Sequence, residues 1–129
     1  MTKRVLVVED NELNLKLFCD LLLAHGFEPH AVRDAREAIS DARTVNPDLI
    51  IMDIQMPHIS GLELIEAIRT DALLRHTPIM AVTAYAGKGD EERIREAGAD
   101  AFVSKPITLA RFMETAQDLI ARAALAVPH

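Results

Sequence analysis

The sequence predicts an α/β fold, a doubly wound, five-stranded parallel sheet with five helices. Three observations carry that expectation. Residues 5–8 (Val-Leu-Val-Val), 49–52 (Leu-Ile-Ile-Met) and 79–82 (Ile-Met-Ala-Val) are apolar at every position. Continuous apolar runs of this kind mark parallel strands buried on both faces, whereas a half-exposed sheet alternates. Longer segments of helical period lie between them. The two patterns also take turns along the chain, as repeated β-α-β crossovers do.

Taken in order, residues 5–8 form the first strand. Residues 11–25 read as the first helix, stopped by Gly26. Its core face is expected to hold Leu17, Phe18, Leu21 and Leu22, which leaves Leu15, Cys19 and Leu23 pointing outward. Residues 27–32 make a weaker strand, and Pro29 within it places it at an edge, because proline cannot donate to a ladder. The second helix covers 35–43, with Asp34 as its N-cap. After the strand at 49–52, Ser60-Gly61 introduces a third helix at 62–69. The strand at 79–82 is followed by a helix at 90–97, ended by Gly98. Residues 101–104 give the last strand and 108–124 the last helix. Three central and two weaker strands suggest the flavodoxin-like order 2-1-3-4-5. The expected domain is 1–124, with 125–129 as a frayed tail.

Composition narrows the function. A length of 129 residues suits one domain. Fourteen Lys and Arg against 20 Asp and Glu give a net charge of −6. That balance disfavours nucleic acid, whose binding runs on phosphate neutralisation, and anionic membrane surfaces. A lone cysteine, Cys19, excludes an internal disulfide and suits a reducing, cytoplasmic setting. The first apolar run is too short for an export signal, and no run is long enough to insert in a membrane. The five His share no spacing or motif.

In such a fold, ligands sit at the carboxyl ends of the strands, near the topological switch. Glu9-Asp10, Asp53, Thr83 and Lys105-Pro106 stand at four of those ends. Three carboxylates that close raise one another's pKa and need a cation. Lys105 supplies one charge. The oxygen-rich remainder suits Mg²⁺, which keeps several waters and uses one or two carboxylates. No His/Cys cluster is available for zinc. Glu9-Asp10 also stands where it could cap the first helix.

Val-Val-Glu-Asp-Asn at 7–11, Met-Asp-Ile-Gln-Met-Pro at 52–57, Val-Thr-Ala-Tyr at 82–85 and Ser-Lys-Pro at 104–106 together resemble the CheY-like receiver domain of two-component response regulators. The longer wording at 9–14 and 89–96 is similar to single-domain receivers of cell division and polarity. The resemblance implies that Asp53 accepts a phosphoryl group. Asp10, Asp53 and the backbone carbonyl of Gln55 would ligate Mg²⁺, with Glu9 acting through a metal-bound water. Lys105 and Thr83 would hold phosphoryl oxygens. Phe102 would be the aromatic that changes rotamer, without the hydroxyl of the family's frequent Tyr. Small Ala84 would leave the site open, and Gln55 and Tyr85 would tune the phosphoryl lifetime.

The implied partners are a histidine kinase or His phosphotransfer protein, docking on the first helix at Leu15 and Cys19 and near Pro106, and a downstream regulatory kinase or other protein. A cytoplasmic monomer is expected, with dimerisation on phosphorylation and recruitment to a cell pole by a membrane kinase left open, no attached output domain, and no enzyme activity beyond its own phosphorylation and dephosphorylation. Three alternatives stand beside this reading: a phosphate shuttle to another His protein, a phosphorylation-independent docking module, and a phosphohydrolase, which the Gln55 in place of a second Asp disfavours.

Overall fold

A computed structural model describes residues 2–84 and 87–125. In chain order the elements are β1 (Arg4–Val8), α1 (Glu12–Ala24), β2 (Glu28–Val32), a 3₁₀ turn (Ala35–Glu37) running into α2 (Ala38–Val45), β3 (Leu49–Asp53), α3 (Gly61–Thr70), β4 (Ile79–Thr83), α4 (Lys88–Ala97), β5 (Ala101–Ser104) and α5 (Leu109–Leu125). The strands form one parallel sheet in the order β2-β1-β3-β4-β5, as expected.

Strand residues alternate between the two faces, and both faces of the inner strands are covered, so residues 5–8 of β1, and β3 and β4, are buried at every position. Val5, Val7, Leu49, Ile51, Met80, Val82 and Val103 share one core with α1 and α5. There the Phe18 and Phe112 rings stack with centroids 4.7 Å apart. Leu6, Val8, Ile50, Met52, Ile79 and Ala81 share the other core with α2, α3 and Ile94 of α4.

The face assigned to the first helix needs correction. The buried residues are Leu15, Phe18 and Leu22, while Leu17 is 43% exposed and Leu13 81%. Leucines occupy 13, 15, 17 and 21–23, so apolar spacing alone fits more than one face. Stacking Phe18 on Phe112 selects the observed one. Leu15 is therefore a core residue, and Cys19 is half-buried beside it. The cap also differs. Asn11, not Glu9-Asp10, closes the helix start, accepting from the Asn14 N–H at 3.0 Å.

Two glycines are fixed by close approach. A Cβ on Gly61 would lie 2.5 Å from Ile54 Cα, so only glycine lets α3 start against the chain leaving β3. Gly98, at φ 122°, ends α4 where a Cβ would lie 2.6 Å from Arg69 Cγ. Arg69 reaches across from α3 to this end. It donates to the Gly98 carbonyl (2.9 Å), the Thr77 carbonyl (2.7 Å) and Asp100 (2.7 Å). The opposite end of α4 starts at Lys88, two residues earlier than expected, behind Gly87, which supplies no side-chain cap.

Candidate functional site

Because the strands are parallel, their carboxyl ends open onto one rim of the sheet. Glu9 follows β1, its N–H donating to the Val32 carbonyl at 3.0 Å. Its side chain is only 1% exposed. One oxygen accepts from Asn14 Nδ2 at 2.9 Å, and the other, Oε2, is buried with no hydrogen-bond partner. Burial, reinforced by the neighbouring Asp53 carboxylate, raises the Glu9 pKa to about 7 against the lowering effects of Asn14 and Lys105.

Asp53 is the last residue of β3 and is buried. Its Oδ1 accepts from the Gln55 N–H at 2.9 Å, and its Oδ2 lies 3.1 Å from Lys105 Nζ. Lys105 is anchored by its own N–H, which donates to the Thr83 carbonyl at 2.7 Å. Its Nζ also stands 3.8 Å from Glu9 Oε1. Asp10 is exposed at the mouth, and one oxygen each from Glu9, Asp10 and Asp53 lie within 4.8 Å of one another. Three carboxylates thus face one ammonium. Oxygen-only donors, an orphaned buried oxygen and an open mouth fit a hard divalent cation.

Thr83 closes β4 and is buried. Its Oγ1 accepts from Gln55 Nε2 at 2.9 Å, and Gln55 Oε1 accepts from the exposed Ala84 N–H at 3.1 Å. Phe102 is half-buried against the α3–α4 side of the core, with the Arg95 guanidinium 5.7 Å from its ring centroid. Pro106 is exposed and lines a cavity of about 260 Å³ with Phe102, Ser104 and Arg111. Tyr85 lies outside the described residues.

The rim therefore brings together Glu9, Asp10, Asp53, Gln55, Thr83, Ala84 and Lys105. It leaves Leu15 in the core beneath α1. Asn14 was missed as the support of Glu9. Its signal was available: an amide one helical turn after the acidic pair.

A sequence model described as the response regulator receiver domain matches residues 5–117. The chain is 56% identical over 115 residues to the polar-differentiation response regulator DivK of Brucella ovis, covering 89% of this chain and 94% of that protein, and it matches DivK of Brucella melitensis equally. Chemotaxis protein CheY4 of Vibrio cholerae superposes with a TM-score of 0.87 at 27% identity, over 92% of this chain and 99% of that one. The receiver domain of sensor histidine kinase PA1611 from Pseudomonas aeruginosa, solved with a magnesium ion coordinated in its active-site cleft, superposes with a TM-score of 0.85 at 30% identity, over 94% of this chain and 99% of that one.

Proposed function

This chain belongs to the response regulator receiver family, and on that premise we propose that Asp53 accepts a phosphoryl group at the acidic rim in a Mg²⁺-dependent reaction. The observation that carries the proposal is Asp53 itself: a buried carboxylate at a strand end, 3.1 Å from Lys105 and clustered with Glu9 and Asp10. Asp10, Asp53 and the Gln55 carbonyl would hold the cation, with Glu9 reaching it through water. Bound there, the cation supplies the charge neutralisation that phosphoryl transfer requires.

The remaining work belongs to side chains. A carboxylate is a weak nucleophile, so positioning does most of it. The Gln55 N–H fixes one Asp53 oxygen. Lys105 pairs with the other oxygen at rest and with phosphoryl oxygens afterwards. Thr83 gives a hydroxyl to the phosphoryl group, and Phe102 changes rotamer with it. The β5 face and α4 then shift population and alter partner affinity.

The donor we propose is a histidine kinase or His phosphotransfer protein. Leu13 and Leu17, exposed and one turn apart on α1, replace buried Leu15 as its docking residues. Output passes through contact with a downstream protein in polarity or division control, as the relatives' name suggests. Among the described residues, no helix is long and apolar enough to cross a membrane.

The test is incubation with acetyl phosphate and Mg²⁺, read by intact mass, beside Asp53→Asn and a Mg²⁺-free sample. One added phosphoryl group that needs both Asp53 and Mg²⁺ is expected. An adduct that survives Asp53→Asn would overturn the assignment.

A further inference from the structure

Gln55 touches both sides of the reacting centre. Its main-chain N–H binds the Asp53 carboxylate at 2.9 Å, and its side chain spans to the end of β4, 28 residues away in sequence. The carboxamide orientation is set by chemistry. The Ala84 N–H can only donate, so the atom 3.1 Å from it is the oxygen, and Nε2 is left to face Thr83 Oγ1. The Gln55 carboxamide thereby engages Thr83 and the Ala84 N–H, the polar groups that the end of β4 offers beside the site.

From that juxtaposition we infer that Gln55 is a latch on the resting site, holding the Thr83 hydroxyl oxygen and the Ala84 N–H until a phosphoryl oxygen displaces it. The inference rests on the reading of Asp53 as phosphoryl acceptor. A carboxamide oxygen and a phosphoryl oxygen compete for one N–H, so phosphorylation and the resting contact exclude each other. Thr83 Oγ1 accepts from Gln55 Nε2, and a swing of that side chain toward a phosphoryl group would break the contact.

The structure also provides a place for the released side chain. A crevice of about 200 Å³ opens at Gln55 and Thr83 and runs beneath α4. Ile54, Leu62 and Ile94 give it apolar lining, and Asp90 and Arg93 polar lining. A displaced carboxamide fits that chemistry, apolar along its stem and hydrogen-bonding at its tip. Entry there presses on α4, the helix fixed at its Gly98 end by Arg69 and uncapped by any side chain at Gly87. Gln55 is thus a positioning residue with two actions. It restrains Thr83 and the Ala84 N–H before transfer, and it loads α4 after it.

Gln55→Met and Gln55→Ala separate these actions. Both remove the two hydrogen bonds; only methionine keeps the length and bulk. Gln55 is exposed, so both variants fold. Beryllofluoride, in the presence of Mg²⁺, serves as the phosphoryl mimic, with Mg²⁺ alone titrated in parallel so that a change in cation affinity is seen separately.

With the competing contacts gone, both variants should bind beryllofluoride about five- to tenfold more tightly than the wild type. In resting protein, the Ala84 amide should exchange faster in both. On binding, the change in hydrogen exchange across 88–97 should persist in Gln55→Met and fall by about half or more in Gln55→Ala.

Unchanged or weaker beryllofluoride affinity in both variants, with wild-type binding intact, overturns the latch alone. A full α4 response in Gln55→Ala overturns the loading of α4. Wild-type protein that takes up no beryllofluoride overturns the acceptor reading and the latch together.

Discussion

Replacing Glu9 with glutamine should stabilise the protein, although Glu9 belongs to the carboxylate cluster that could hold a cation. In the folded state the Glu9 carboxyl is pushed up to about 7, from an ordinary value of 4.5. A carboxyl raised in this way is held protonated by the fold. Its stability contribution is complete below pH 4.5 and is lost as pH rises through about 7. The displacement sets a ceiling of ~3 kcal/mol, and relaxation of the buried charge reduces this to ~1–3 kcal/mol. Glutamine keeps an oxygen for Asn14 and carries no charge. Above neutral pH, without divalent cation, Glu9→Gln should therefore melt roughly 4–10 °C higher than the wild type. The gain should shrink to nothing near the acid end of that window, where Glu9 is already neutral in both states. Saturating Mg²⁺ should favour the wild type, because the cation offsets the charge that glutamine lacks. Thermal unfolding at several pH values, with chelator and with Mg²⁺, reads all three. A Glu9→Gln protein that melts lower at alkaline pH, or gains equally at every pH, would refute the reasoning.

Leu15→Glu should cost more than ~3 kcal/mol by burying a charge, whereas Leu17→Glu should stay within ~0.5–1 kcal/mol in urea unfolding. Leu17→Glu should nonetheless slow phosphotransfer from a cognate kinase while leaving acetyl phosphate uptake intact. Gly98→Ala should destabilise by ~1–3 kcal/mol, since φ 122° strains alanine and its Cβ meets Arg69; equal urea midpoints would contradict that. Lys105→Met removes the ammonium 3.1 Å from Asp53, so calorimetry should show Mg²⁺ binding about tenfold more tightly. Weaker binding would show that Lys105 helps to organise the carboxylates rather than to compete with the cation.

The sheet was legible in the sequence because burial on both faces marks the inner strands β1, β3 and β4 with continuous apolar runs, while edge strand β2 shows itself only by Pro29. The rim followed from it, since parallel strands put Glu9, Asp53, Thr83 and Lys105 at equivalent ends. The phase of α1 was not legible. With leucine on several of its faces, the choice was made by Phe112, in a helix 94 positions later by number. The early start of α4 was hidden by Gly87 and Gly89, which read as loop. The reach of the Gln55 side chain to Thr83, and of Arg69 to Gly98, depends on juxtapositions across β3–β4 and α3–α4. Local spacing holds no trace of those.

Asp53 and Lys105 are separated by 52 residues in sequence and meet only when β5 is paired. That strand is the shortest, with four residues, and it is bonded to the sheet along one side only. A short strand held along one side only sits toward the low-stability end of a sheet and opens early in local fluctuation. Fraying of this margin would withdraw Lys105 from Asp53 while the inner strands β1, β3 and β4 stayed together. A partly opened molecule would then lose the Lys105–Asp53 pair before it fell apart, and that pair would report on the integrity of the β5 margin.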